Sequence, residues 1–588
     1  MKRNILICTM IALSSLGISS CSDILDQQPM DSYTDAAIWG DLALAETFLN
    51  NCYLRVEAEN VNGVMFCNYT DETYHMHDYG TSTYTQGRVS CDDYNTGWTE
   101  GKGNTWAHYY GGIKLCNQLL ENIDVTPTYT ESDKTWKNQI IGQAYFLRAY
   151  YYHMLYSLYG RVPLIDHTYD LDSEFKETRA EMDDVADFIV HDCDDAAKLL
   201  PLKYEDANDF GRATKGAALA LKGRTLLYKA SPLFGTPSAE KWEDAAEANM
   251  DVIELGVYSL KSVSSSDEYA DLFLDKNNPE VIFEKLYDEK GIAGSSASLI
   301  MQAPSGPGNG YGGWGTWQPT YEIVNLFQNV DGTAYTAPAT QPFKILQTTM
   351  VDGEAVQKEV TIQASDVNPW KNREIRLAAN ILYDDALWGY ESANRPVELF
   401  EAGAANVVPG KDSRTGETWW NGTKTGYNMR KFLNAHHDFL DESVVDQTPW
   451  FFIRLAEVYL NYAECQIELG NDSEALIYIN KVRNRALLTD APGKDIRAEY
   501  EYERTVELMF EGQRFFDLRR WKKMESAYSQ ANWPTGIKIY KLADGKKIYF
   551  HNTEAVQQRA FDASKNYWWP IPRYELNKSK FLDAAPYK

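Results

Sequence analysis

Two stretches interleave aromatic rings with amides and carboxylates. Asp71–Trp98 contains Asp71, Glu72, Tyr74, His75, Asp92, Tyr94, Asn95 and Trp98. Gly306–Trp317 reads GPGNGYGGWGTW, with Asn309, Tyr311, Trp314 and Trp317 spaced by glycines. Sugar rings stack axial C–H groups on aromatic faces, and their hydroxyls need amide, carboxylate or backbone partners. Glycine lets the backbone turn freely and leaves the rings between exposed. Asp71, Tyr74, Tyr94, Asn95, Trp98, Asn309, Tyr311, Trp314 and Trp317 are therefore the candidate ligand contacts. The competing reading of any one ring is burial between helices and loops.

Other chemistries find less support. The 84 Asp and Glu are too many for abundance to mark a glycosidase pair, and no stretch sets acids in a Trp-rich cleft around a clear nucleophile. His75 and His77 alternate without a third metal ligand at a usual spacing. No GxGxxG stands in a strand–helix setting to cradle a phosphate. No cofactor is implied, and a structural calcium is left open. The six cysteines past residue 21 are scattered without a CxxC, and a disulfide among Cys52, Cys67, Cys91 and Cys116 stays open. A formal charge of −27 repels phosphate backbones, so nucleic acid is a poor partner and neutral ligands fit better. An acidic polysaccharide needs a local basic patch.

The elements that position these stretches are mainly helical. Apolar residues at three- and four-residue steps predict a helix over 34–60, then Trp106–Ile123, Asp133–Tyr159, 179–200, 214–230 and 240–255. Residues 61–105 read as a long loop whose aromatic load argues for function. Residues 257–448 are rich in Gly, Pro, Thr and Trp, with short strands expected at 281–284 and 379–383. Near the C-terminus, Phe451, Leu455, Val458, Tyr459, Tyr462 and Gln466 predict a helix stopped by Gly470 and Asn471. A second helix follows from Asp472, and a third from Ile496 to about Trp521. Short-turn helix pairs form the units of a repeat scaffold. Arg and Glu at these spacings read as ion pairs between stacked helices.

The order Arg454-x-x-Glu457-x-Tyr459-Leu460-x-Tyr462-Ala463-Glu464, Asn480-x-x-Arg483-x-Arg485-Ala486 and Glu503-Arg504-x-x-Glu507-x-x-x-Glu511-Gly512-x-Arg514-x-x-Asp517-Leu518-x-Arg520-Trp521 closely resembles the SusD/RagB family. Those are nutrient-binding lipoproteins of Bacteroidota outer membranes. Gly160-Arg161-Val162-Pro163-Leu164 and Tyr567-Trp568-Trp569-Pro570-Ile571-Pro572-Arg573 match further family signatures. The resemblance implies a mainly α fold: a tetratricopeptide-like helical-repeat scaffold with a large irregular, loop-rich insertion containing short strands. It also implies a TonB-dependent, SusC-like outer-membrane transporter as partner. Ligand contacts in the family lie on a loop after the first helices and on loops of the insertion, similar to the two stretches above.

Met1-Lys2-Arg3 and the apolar run Ile5–Leu13 read as a cleavable signal, too short to span a bilayer. Leu16-Gly17-Ile18-Ser19-Ser20-Cys21 resembles a bacterial lipobox, which implies cleavage after Ser20 and lipidation of Cys21. The acyl chains are then the anchor in outer-membrane lipid. Asp23 and Asp26 resemble the signal that sends such lipoproteins to the cell exterior. The expected divisions are a signal peptide (1–20), an N-terminal helical region (21–256), a loop-rich insertion (257–448) and a C-terminal helical region with a closing segment (449–588). The expected function is capture of a nutrient glycan for the transporter. The alternatives are peptide binding on the same scaffold and, less favoured, glycoside hydrolysis.

Overall fold

The computed structural model describes residues 35–57, 64–96, 104–170, 172–276, 278–287, 314–351, 354–389, 394–416, 421–435 and 447–587. Several helices begin where a polar side chain caps them. Asp41 accepts the Ala43 and Leu44 N–H groups at the start of α1 (Leu42–Tyr53). After α2 (Thr105–Asn122), Thr130 and Asp133 form a capping box that opens α3 (Glu131–Tyr159). Next come α4 (Met182–Leu199), α5 (Lys215–Ala230) behind Thr214, and α6 (Ala239–Glu254) behind Ser238. The C-terminal set is α7 (Leu455–Glu468), α8 (Asp472–Arg485), α9 (Ile496–Glu507) and α10 (Gln513–Arg520).

From α2 to α9 each helix packs on the next, and α6 packs directly on α7 although residues 255–454 lie between them. The helical array therefore continues across the insertion. Close approach depends on the small residues of α5: a Cβ on Gly223 would lie 2.9 Å from the Asn249 side chain of α6. One hydrophobic core runs from Trp39 to Tyr587. The fold is mainly α, with a helical-repeat scaffold and short strands in the insertion.

The strands are β1 (Thr73–His75), β2 (Val281–Lys285), β3 (Trp317–Pro319), β4 (Gln341–Val351), β5 (Glu354–Ala364), β6 (Trp450–Arg454), β7 (Gly536–Lys541) and β8 (Lys547–Asn552), besides two-residue bridges. They form small separate sheets: β2 pairs with β6, β4 with β5, and β7 with β8, all antiparallel. The long β4–β5 hairpin exceeds the short strands expected of the insertion.

Several local expectations are corrected. Phe451 belongs to β6, whose five residues are all buried, and α7 starts only at Leu455. The helix expected over 34–60 is interrupted by Trp39-Gly40-Asp41, where Asp41 recaps the chain, and α1 ends at Tyr53. The expected third helix breaks between α9 and α10, where Phe510 (φ 65°) and Gly512 (φ 78°) turn left-handed. Of the expected strand at 379–383, Ala379 and Asn380 end a helix, Ile375–Asn380, and only Ile381–Leu382 form a strand. The six described cysteines are buried free thiols.

The helix break serves a buried ion cluster. Arg454 donates to Glu280 at 2.6 Å, Glu507 at 2.8 Å and Glu511 at 2.7 Å, and also to the Glu507 carbonyl at 2.9 Å. Arg376 meets Glu503 at 2.6 Å and Glu507 at 3.0 Å, and Arg485 bonds both Glu280 and Glu507. Lys431 reaches Glu511 at 2.7 Å and the Met509 carbonyl at 2.9 Å. Burial alone would raise the Glu507 carboxyl, but Arg485, Arg454 and Arg376 outweigh it and hold it well below the usual range. A second cluster joins Arg520 to Glu464 at 2.8 Å and to Asp517 at 2.8 Å. Arg224 ties α5 to α7 through Glu457 at 2.7 Å. These charges hold helices together, as their spacing indicates.

Candidate ligand-binding site

The two aromatic stretches meet in space. β1 pairs antiparallel with β3, aligning Thr73 with Pro319, Tyr74 with Gln318 and His75 with Trp317. The ladder continues as the Met76 N–H donates to the Thr316 carbonyl at 2.9 Å. Gln318 clamps the junction: its Nε2 donates to the Gly315 carbonyl at 3.0 Å, and its Oε1 accepts the Lys424 N–H at 2.8 Å.

Beneath this pair the acids anchor rather than reach outward. Asp71 takes a two-pronged bond from Arg514, at 2.9 and 2.7 Å. Burial would raise the Asp71 carboxyl, yet the Arg514 guanidinium holds it below its ordinary range. Glu72 accepts the Phe510 N–H at 2.8 Å and the Thr70 hydroxyl at 2.9 Å, and so caps the break between α9 and α10. Its burial pushes its carboxyl up to about 7, a value suited to a general acid. The Glu72 side chain has no exposed surface, however, and its bonds run to the scaffold.

Above the pair a rim faces solvent. Trp314 is 39% exposed and Tyr79 is 41% exposed. The Tyr79 ring stacks 5.9 Å from His77 and meets His75 at 5.3 Å. Burial lowers the His77 imidazole, partly offset by a hydrogen bond to the Trp314 backbone, so the ring is neutral at pH 7. Its Nε2 is buried and has no hydrogen-bond partner among the described residues. Asp78 (φ 65°), Tyr79 (φ 41°) and Gly80 (φ 87°) are consecutive left-handed residues, a strained turn of the kind concentrated at functional sites. Asp78 secures it by accepting the Ser82 N–H and hydroxyl, both at 2.7 Å, and the Thr81 hydroxyl at 3.0 Å.

The sequence candidates therefore divide. Trp314 stands on the rim. Trp317 is fully buried, because its place in β3 turns it into the core, and it offers no ring face to a ligand. Tyr74 is buried in β1 and accepts a bond from Lys424 Nζ at 2.8 Å, so only its edge approaches the rim. Asp71 is committed to Arg514. Tyr94 and Asn95 are half-buried, with the Tyr94 ring 6.3 Å from Tyr574 of the closing segment. Trp98, Asn309, Tyr311 and Cys21 lie outside the described residues. Sequence reasoning passed over Tyr79 and Lys424. Tyr79 carried a signal, sitting before Gly80 in the chosen stretch, whereas Lys424 carried none.

Two exposed aromatic rings beside a half-buried lysine, on loops held by a rigid helical array, fit a scaffolded binding protein. The chain belongs to the SusD family, whose profile matches residues 279–587. A profile described as starch-binding associating with outer membrane matches residues 23–227. A SusD-like protein of Formosa agariphila is 25% identical over 443 residues, covering 71% of this chain and 70% of that protein. A SusD-like protein of Bacteroides ovatus is 24% identical over 540 residues, covering 89% and 83%. The crystal structure of a SusD-like protein from Bacteroides fragilis superposes with a TM-score of 0.75 at 26% identity, covering 95% of this chain and 99% of the other. Another from the same species, described as a SusD-like carbohydrate binding protein, gives a TM-score of 0.71 at 23% identity, covering 93% and 100%.

Proposed function

We propose that this chain is a lipid-anchored protein of the outer cell surface that binds a nutrient glycan and delivers it to a TonB-dependent transporter. The supporting observation is the β1–β3 pair, which joins two distant aromatic stretches and leaves Trp314 and Tyr79 exposed beside His77. Stacking on the two rings supplies affinity, and Lys424 Nζ meets a sugar hydroxyl. Trp98, Asn309 and Tyr311 belong to the stretches that converge here and are further contacts under this reading. Acylation of Cys21 anchors the chain, and the transporter supplies the pore and the energy. Family membership and the carbohydrate-binding relative support the ligand class. No catalytic role is proposed, since the near-neutral Glu72 is sealed below the rim.

The test is affinity electrophoresis of the full chain through gels containing plant, host and microbial polysaccharides. Retardation by one polymer, reduced about tenfold in affinity by Trp314→Ala with Tyr79→Ala, is the expected result. Retardation that survives the double substitution removes the rim from the reading. No retardation by any polymer favours a peptide ligand.

A further inference from the structure

A cavity of about 490 Å³ opens far along the chain from the rim, where the segment after α6 crosses the α7–α8 hairpin. Tyr258, Ser259, Ser262, Tyr459, Lys481 and Asn484 line it. The crossing segment is pinned by the Ser259 N–H, which donates to the Pro279 carbonyl at 3.1 Å, and by Tyr258, whose hydroxyl lies 3.3 Å from that of Thr214. The cavity volume suits a small ligand such as one or two sugar rings.

Its charge sets it apart. Lys481 makes no ion pair among the described residues; its ammonium lies 4.1 Å from the Tyr478 ring centre and 5.0 Å from that of Tyr459. Arg485 forms part of the wall, and its Nε–H, just behind, has no acceptor among the described residues. No carboxylate lines the cavity, in a chain with a net charge of −27. The buried carboxylate Glu280, which acts on Tyr459, is already bound to Arg454 at 2.6 Å and Arg485 at 2.7 Å. A second cavity of the same volume shows the contrast. There Lys546 and Lys547 are matched by Asp366 and Asp385 within the same lining.

We propose that the Lys481 cavity is a second binding site, taking a sugar unit that bears an oxyanion, either a carboxylate or a sulfate. Lys481 pairs with the oxyanion, Ser259, Ser262 and Asn484 meet hydroxyls, and Tyr258 and Tyr459 border the ring. The acidic surface repels such a ligand at long range, so recognition depends on this short-range, charge-assisted contact. The site does not depend on the Trp314 rim.

Titration calorimetry of the full chain in detergent, with sodium glucuronate, glucose 6-sulfate, glucose and inorganic sulfate, tests it. Binding of one or both acidic sugars, with none by glucose at equal concentration, is expected, and the preferred acid identifies the oxyanion. Lys481→Gln should weaken that binding about tenfold without moving the melting temperature, since Lys481 is exposed. Trp314→Ala with Tyr79→Ala should leave it unchanged, so failure of the rim and failure of the cavity are separately visible. Equal binding of glucose, or full-strength binding by the Lys481→Gln protein, overturns the proposal. Inorganic sulfate binding as tightly as glucose 6-sulfate overturns recognition of the sugar.

Discussion

Around Glu507, the guanidiniums of Arg376, Arg454 and Arg485 meet carboxylates in the protein interior. Around Trp314, that ring and Tyr79 stand at the surface beside a strained turn. The first region is far richer in the groups that make enzymes and binding sites, yet its hydrogen bonds run back to the protein. The second has few such groups, and they remain accessible. Satisfaction, more than density, separates a group that holds the fold from one that meets a ligand.

The largest expected effect breaks the first region. Arg454→Met should cost about 3–5 kcal/mol in urea unfolding, because it removes the one cation that Glu280, Glu507 and Glu511 share in the interior. A loss under 1 kcal/mol would mean that the cluster contributes little cohesion. Two tryptophans three positions apart give the next test. Trp317→Ala should destabilise by about 3–5 kcal/mol through the cavity it leaves, whereas Trp314→Ala should change stability by about 0.5 kcal/mol or less.

Glu72 lies between the two regions and supplies a pH signature. Its carboxyl, raised by burial from 4.5 to about 7, binds its proton more tightly in the folded state. That contribution is complete below pH 4.5 and is lost as pH rises through 7, a difference of up to about 3 kcal/mol. Glu284, raised by burial to about 8, adds to the same limb. Glu464 acts oppositely: burial works against its charge, but Arg520 holds it at about 2, so its contribution is present above 4.5 and lost as pH falls toward 2. Melting temperatures between pH 5 and 8 should therefore decline less steeply in Glu72→Gln than in wild type, with the acid limb unchanged. The smallest effect on stability belongs to Trp314→Ala with Tyr79→Ala, which should melt near wild type while losing glycan affinity about tenfold.

The helical array was legible because its signals are local: apolar stripes, Gly470 as a stop, and charges at helical spacing. β6 was not separable from the helix after it because Trp450–Ile453 is apolar throughout, and a short apolar run fits helix and strand equally. The β4–β5 hairpin did carry a signal, Asp352-Gly353 between alternating runs, which went unused. The break at Phe510 had only Gly512 to announce it, since the carboxylate that caps it, Glu72, lies 438 residues away. The two aromatic stretches were legible by composition, but their pairing was not. Whether a ring such as Trp317 faces inward depends on strand register, which pairing alone fixes.

That pairing also sets when in the life of the chain the rim comes into being. Asp71 is made early in synthesis, but its partner Arg514 follows 443 residues later, and Met76 meets Gln318 across 242. Closing such distances costs entropy that only a nearly complete chain recovers. A chain truncated before Arg514 carries both aromatic stretches and lacks the tie that holds the first in place. The rim is thus complete only in a chain that has finished folding.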